Sequence, residues 1–206
     1  MKIRNILIVD DHPIVLMGLR QLVSTSQPEA RIDTAASIAE LKARLAGGVY
    51  QLCVLDIEMP GVNGFELLWR LRRERPGMRI VVNTIHEQVW YVREFLAAGV
   101  EGISFKSAEP EELAEVIRCV AAGEKCFCRQ ARRIIQAIPD NIMPSRREVQ
   151  VLRALADGKT TAEIAGELFV TPNTVETHRR RLLEKFGAKN TIDLLTKAAA
   201  MGVINF

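Results

Sequence analysis

The sequence predicts two domains of different class. The first is a doubly wound α/β domain with a five-stranded parallel sheet, and the second an all-helical module of four helices. Three observations carry this. Short β-rich runs alternate with helical stretches over residues 1–122. The alternation stops in "GEKCFCRQARRIIQAIPDNI", residues 123–142, which mixes Gly, Pro and scattered charge. Residues 143–206 then show helix starts and no strand pattern. A length of 206 residues suits two ordinary domains.

The β-rich runs are "NILIVDD" (5–11), "ARIDTAA" (30–36), "LCVLDI" (52–57), "RIVVNT" (79–84) and "GISFKS" (102–107). In the first intervening stretch Val15, Leu19, Leu22 and Val23 fall on one helical face. Pro13 suits the opening turn of that helix, and Pro110 does the same for the helix after the fifth strand. Strands that alternate with helices make a parallel sheet covered on both faces. Residues 123–142 read as a linker holding one short helix, 129–137. Beyond it, capping boxes at Ser145-x-x-Glu148 and Thr160-x-x-Glu163 open two helices. Thr171-Pro172 opens a third, and "NTIDLLTKAAAMG" (190–202) supplies the fourth.

Composition narrows the function classes. Hydrophobic residues at 48% can fill packed cores, and no apolar run approaches the roughly 20 residues of a membrane span. The N-terminal apolar segment is too short, and too soon followed by acid, for a secretory signal. A cytoplasmic protein with no membrane partner is expected. Its four cysteines then read as reduced thiols, with Cys53 and Cys119 as small core residues. Cys126 and Cys128 form a C-x-C that lacks the second pair a structural zinc site needs. The net charge of +3 hides an asymmetry: residues 1–122 carry 14 Lys/Arg against 16 Asp/Glu, and residues 123–206 carry 14 against 9. Only the second half favours a polyanion.

In the doubly wound order 2-1-3-4-5, ligands bind beyond the carboxyl ends of the strands, at the switch between strands 1 and 3. Asp10 and Asp11 end strand 1, and Asp56 ends strand 3. Thr84 and Lys106 end strands 4 and 5 on the same edge. Three acids gathered there need a cation, and an all-oxygen set with open positions suits Mg²⁺. Lys106 and Thr84 offer a positive charge and a hydroxyl to phosphoryl oxygens. Asp56 is then placed to act as a nucleophile and carry an aspartyl-phosphate. An enzyme on the same sheet would need a general acid and a substrate pocket, and no glycine-rich phosphate loop follows strand 1; no enzyme activity is expected.

Through "VDDHP", "LDIEMPGVNG", Thr84 and Lys106, the front half resembles the receiver domain of two-component response regulators, a flavodoxin-like (βα)5 fold. That resemblance implies that a histidine kinase phosphorylates Asp56. It implies that Asp11, Asp56 and the backbone carbonyl of Glu58 bind Mg²⁺, with Asp10 assisting. Thr84 and the residue at position 103 would form the switch. Receivers usually have an aromatic at that position, whereas this chain has Ile103, and Ile85 follows Thr84 where a small residue is common. Phe105 is expected on the face of the strand opposite Ile103. Glu58 and His86 occupy positions that tune dephosphorylation in the family. Ile103 keeps open an alternative, a DNA-binding regulator that acts independently of phosphorylation.

In the rear half, a helix (161–169), a turn and a second helix (172–186) make a helix-turn-helix whose second helix enters the DNA major groove. Val175, Leu182 and Phe186 pack inward with His178 at their edge, while Glu176, Thr177, Arg180, Arg181 and Glu184 project away. The segment 143–206 resembles the LuxR-type helix-turn-helix, so the whole chain looks like a member of the NarL/FixJ family. The resemblance implies recognition contacts from Thr174, Glu176, Thr177, Arg180 and Arg181, with Lys185 and Lys189 on the DNA backbone. It implies a homodimer through the last helix, whose apolar face includes Ile192, Leu195 and Ala199.

Overall fold

The computed structural model describes residues 3–137 and 144–204. It divides into two compact units, one formed by Met1–Glu87 with Val92–Gln136 and the other by Gln88–Tyr91 with Ala137–Phe206. Along the first part run β1 (Asn5–Val9), α1 (Pro13–Ser26), β2 (Arg31–Ala35), α2 (Ile38–Gly47) and β3 (Leu52–Leu55). They are followed by α3 (Gly64–Glu74), β4 (Arg79–Thr84), α4 (Val89–Ala97), β5 (Gly102–Phe105), α5 (Pro110–Ala122), β6 (Cys126–Phe127) and α6 (Arg129–Ala137). The second part holds α7 (Arg146–Ala156), α8 (Thr161–Glu167), α9 (Pro172–Phe186) and α10 (Thr191–Ala200).

The strands form one parallel sheet ordered β2-β1-β3-β4-β5-β6. Central strands covered on both faces must be apolar throughout. Accordingly all four residues of β3 are buried, as are Ile6 to Val9 of β1. In β2, at the edge, only Ala35 is buried. The predicted order is present with a sixth strand added. The short helix expected at 129–137 within the linker is present as α6, and what the sequence did not reveal is the two-residue strand β6 just before it. Cys126 pairs with Gly102 and Phe127 with Ile103. Two residues are too few to show a strand period, so only the neighbouring edge of β5 reveals them. The expected end of the linker and start of the helical module, residues 138–143, lie outside the described residues. All four cysteines are free thiols. Burial pushes Cys53 up to about 12, and burial together with the neighbouring Cys119 pushes Cys126 up to about 11, which suits unreactive thiols.

Register decides what meets at the carboxyl edge. Val9 pairs with Leu55, and the Asp56 N–H donates to the Val9 carbonyl at 2.8 Å, which sets Asp56 beside Asp10. Thr84 pairs with Phe105, and the Lys106 N–H donates to the Thr84 carbonyl at 2.8 Å. Ile103 and Phe105 stand two apart in β5 and therefore share a face, which corrects the expectation that they oppose.

The loop after Asp56 depends on Gly64. The Asn63 side chain caps α3 by accepting from the N–H groups of Phe65 and Glu66. A Cβ on Gly64 would lie 2.0 Å from the Ile57 carbonyl oxygen, a backbone atom that cannot step aside alone. Gly64→Ala is expected to cost about 1–3 kcal/mol in a urea melt, the range for overpacking, and to displace the turn that carries Glu58.

In the helical unit the core is built by Val149, Val151 and Leu152 of α7, Ile164 and Ala165 of α8, Val175, Leu182 and Phe186 of α9, and Leu194 and Ala198 of α10. Both capping boxes form, at Ser145 with Glu148 and at Thr160 with Glu163. Helix α8 ends at Glu167, two residues before the expected 169, because Phe169 takes a left-handed backbone with φ 54°.

Candidate functional sites: an acidic pocket and a helix-turn-helix surface

Asp10 and Asp56 are buried at the carboxyl ends of β1 and β3, with 0% and 2% exposure. Two such carboxylates repel unless a cation lies between them. Lys106 supplies it: its Nζ is 2.8 Å from Asp10 Oδ2 and 2.7 Å from Asp56 Oδ2. Burial alone would push the Lys106 ammonium down. The hydrogen bonds and charge of Asp10 and Asp56 outweigh that and raise it above its ordinary value. The second Asp56 oxygen, Oδ1, accepts from the Glu58 N–H at 3.0 Å, and Asp10 Oδ1 accepts from the His12 N–H at 2.9 Å. Both carboxylates are therefore oriented by the backbone just downstream of them.

Asp11 is held differently. Its Oδ1 is buried and accepts no hydrogen bond, with His12 Nδ1 2.9 Å away. Asp10, Asp11 and His12 each bring one donor atom within 4.8 Å of the others, a group that could hold a metal ion. A buried carboxylate oxygen without a donor, beside a second acid, fits a hard divalent cation. Asp56 lies outside this group, across the Lys106 ammonium. His12 was missed by sequence reasoning, although "VDDHP" places it next to the acids. Thr84 is fully buried, and its Oγ1 accepts from the His86 N–H at 3.2 Å, which leaves the hydroxyl hydrogen for an incoming oxygen. His86 Nε2 lies 3.6 Å from Glu58 Oε1. Ile103 is 0% exposed at the switch position, and Ile85 is exposed.

The second surface lies on α9. Thr171 caps it by accepting from the Thr174 N–H, and the two hydroxyls are 2.8 Å apart. Of the three consecutive arginines, Arg179 is tied internally, 2.6 Å from Thr191 Oγ1 and 3.5 Å from Glu176 Oε1. Arg180 and Arg181 are exposed, as is Lys189. Glu176 also accepts from Thr161 Oγ1 at 2.7 Å, so it joins α9 to the start of α8. Thr177 donates to the Asn173 carbonyl at 2.9 Å.

Lys185, expected from the resemblance on the DNA backbone, has an internal partner. Its Nζ is 2.6 Å from Glu148 Oε2, and Glu148 is 2% exposed. A sequence pattern cannot reveal this pairing, because Glu148 is 37 residues away. Burial would push the Glu148 carboxyl up, but Lys185 and the Ser145 N–H and hydroxyl together hold it below its ordinary value. A carboxyl with a depressed folded pKa stabilises the fold above its unfolded pKa, and that stability is lost as pH falls through the folded one. Glu148→Gln keeps the capping geometry and removes the charge. It is expected to cost about 1–3 kcal/mol at pH 7. In urea melts the gap from wild type should close as pH falls from the ordinary carboxylate range through the depressed folded pKa, where the native carboxylate protonates as well.

Comparison with known proteins joins the two surfaces. The response regulator receiver domain family matches residues 6–118, more than half of the chain. The chain belongs to the response regulators. The LuxR family of bacterial regulatory proteins matches residues 145–198 of this response regulator, the helical unit. It is 35% identical over 190 residues to the transcriptional regulatory protein UhpA of Salmonella typhimurium, covering 92% of this chain and 95% of that one. It is 31% identical to the nitrate/nitrite response regulator NarL of Escherichia coli, covering 92% of each. Among solved structures, RcsB of Salmonella enterica serovar Typhimurium, bound to promoter P1flhDC with the phosphomimetic BeF3-, superposes with a TM-score of 0.70. That alignment has 26% identity and covers 98% of this response regulator and 99% of RcsB. Another similar structure holds two RcsB dimers bound to two parallel DNAs. Among the described residues, no helix is long and apolar enough to cross a membrane.

Proposed function

We propose that this response regulator is a cytoplasmic transcription factor. A histidine kinase phosphorylates it on Asp56, and it binds double-stranded DNA through α9 as a homodimer. The observation that carries the reading is the Lys106 ammonium shared by two buried carboxylates, in one chain with a helix that exposes Arg180 and Arg181. Asp56 Oδ attacks the phosphorus of a phosphohistidine; the P–O bond forms as the P–N bond breaks, and the imidazole keeps the electron pair and takes a proton. Asp10, Asp11, Asp56 and the Glu58 carbonyl would hold Mg²⁺, with His12 beside them. The ion supplies positive charge to acids and phosphoryl oxygens alike. Lys106 releases Asp56 and follows a phosphoryl oxygen, and the Thr84 hydroxyl donates to another. The family's proteins are regulators, and catalysis beyond this self-modification is not part of the reading.

The new ester adds roughly −1.5 to −2 of charge at the pocket, on the scale of other protein phosphates. That charge shifts an existing equilibrium toward the DNA-binding state through Thr84 and its partner strand β5. In the helical unit Thr174, Glu176, Thr177, Arg180 and Arg181 face the groove and Lys185 and Lys189 meet the backbone, while Glu176 and Lys185 also join α9 to Thr161 and Glu148. Ile192, exposed at 78%, would meet a second copy together with Leu195 and Ala199, which are half-buried against the helical core. Two copies would read half-sites about 10–10.5 bp apart. Footprinting of genomic DNA with phosphorylated and unphosphorylated protein tests this, and protection that grows with phosphorylation is expected. Equal protection in both states would favour the phosphorylation-independent regulator, which Ile103, fully buried without an aromatic ring, supports.

A further inference from the structure

Four left-handed residues close segments of the helical unit, each with the following N–H reaching a carbonyl five residues back. The bonds run from Lys159 to Ala154 (3.1 Å), Val170 to Ala165 (3.0 Å), Ala188 to Leu183 (2.8 Å) and Val203 to Ala198 (2.9 Å). Three of the closing residues are glycine: Gly158, Gly187 and Gly202. The fourth is Phe169, the only non-glycine residue with positive φ among the described residues. A Cβ is crowded in this conformation, so glycine and then asparagine are favoured there. Phe169 gains no packing in exchange, since it is 94% exposed. The turn beneath it is well held: the Phe169 N–H donates to the Gly166 carbonyl at 3.3 Å, and the Arg147 guanidinium donates to the Leu168 carbonyl.

A strained, solvent-facing aromatic on a well-held turn points to a contact made outside the chain. Its position says with what. Phe169 stands two residues before Thr171, the cap of α9, where backbone N–H groups and the positive helix end favour a phosphate. The half of the chain that holds it is also the basic half. We propose that the Phe169 ring packs against the deoxyribose edge of duplex DNA, beside the phosphate received at the start of α9. This rests on the reading of α9 as the groove-entering helix. The ring adds affinity without adding charge.

The test uses the full chain and a labelled short duplex of mixed sequence, titrated over a range of KCl, because a sugar contact does not depend on sequence. Phe169→Asn, Phe169→Tyr and Arg180→Ala are compared with wild type. Phe169→Asn should unfold at a higher temperature, since asparagine tolerates the left-handed backbone. It should bind about fivefold more weakly, as expected for losing a partly buried ring. Its slope of log affinity on log salt should match wild type, because no counterion is involved. Phe169→Tyr, which keeps the ring, should bind like wild type. Unchanged affinity in Phe169→Asn alongside a weakened Arg180→Ala overturns the contact while leaving the groove reading intact. Weaker binding together with a lower unfolding temperature also overturns it, as damage to the turn. Unchanged binding with reduced transcription by purified polymerase assigns the ring to a protein partner and overturns the DNA contact. Failure of wild type to bind the duplex would sink the groove reading itself.

Discussion

Asp56→Asn is expected to take up no phosphoryl group from acetyl phosphate and Mg²⁺, and wild type to take up one per chain, read by intact-protein mass. The amide removes the nucleophilic oxygen and leaves the backbone in place, since the Asp56 N–H still donates to the Val9 carbonyl. A phosphodonor-dependent gain in DNA affinity should disappear with it. For the wild type that gain should be about 5–150-fold, the usual span of coupling between two sites. The variant also changes the resting pocket. Lys106 Nζ then faces one carboxylate, Asp10, in place of two, so its attachment to position 56 weakens. A variant that still takes up a phosphoryl group would move the nucleophile to Asp10 or Asp11. A wild type that is phosphorylated without any gain in DNA affinity would favour the phosphorylation-independent regulator.

Arg180→Ala is expected to lose about 1–3 kcal/mol of DNA affinity and to relax specificity at one base pair if the guanidinium grips a guanine edge in two places. If Arg180 meets a phosphate, the loss is uniform across sequences and the salt slope falls by about one. Titrating matched and mismatched duplexes at several salt concentrations separates the two. Arg179→Ala acts elsewhere: Arg179 is bonded to Thr191 and Glu176, so its loss should appear in the thermal melt before it appears in DNA binding. An Arg180→Ala protein that binds every duplex like wild type would remove α9 from the interface. These two arginines are neighbours in the sequence, and only their partners distinguish them.

Much of the fold was legible because local rules and the tertiary arrangement agree. Alternating strand and helix periods impose a parallel sheet, and its connectivity carries Asp10, Asp56, Thr84 and Lys106 to one edge. Capping boxes at Ser145 and Thr160 are complete within four residues, so the sequence alone locates those helix starts. The two misplacements have different causes. Strand β6 has two residues and gains its identity only by pairing with β5. The shared face of Ile103 and Phe105 follows from a period of two that the expectation of opposite faces had misapplied.

What the sequence determined by itself was the class of each domain, the edge at which the acids collect and the face of α9 that turns inward, because periodicity and capping act over a few residues. Only the tertiary structure decided which charge answers which. It set Lys106 between Asp10 and Asp56 and gave Lys185 the partner Glu148. It also showed that Phe169 holds a glycine's conformation in full exposure. Ion pairs form between side chains that folding brings together across long stretches of chain, and their partners depend on burial and geometry that no local pattern encodes.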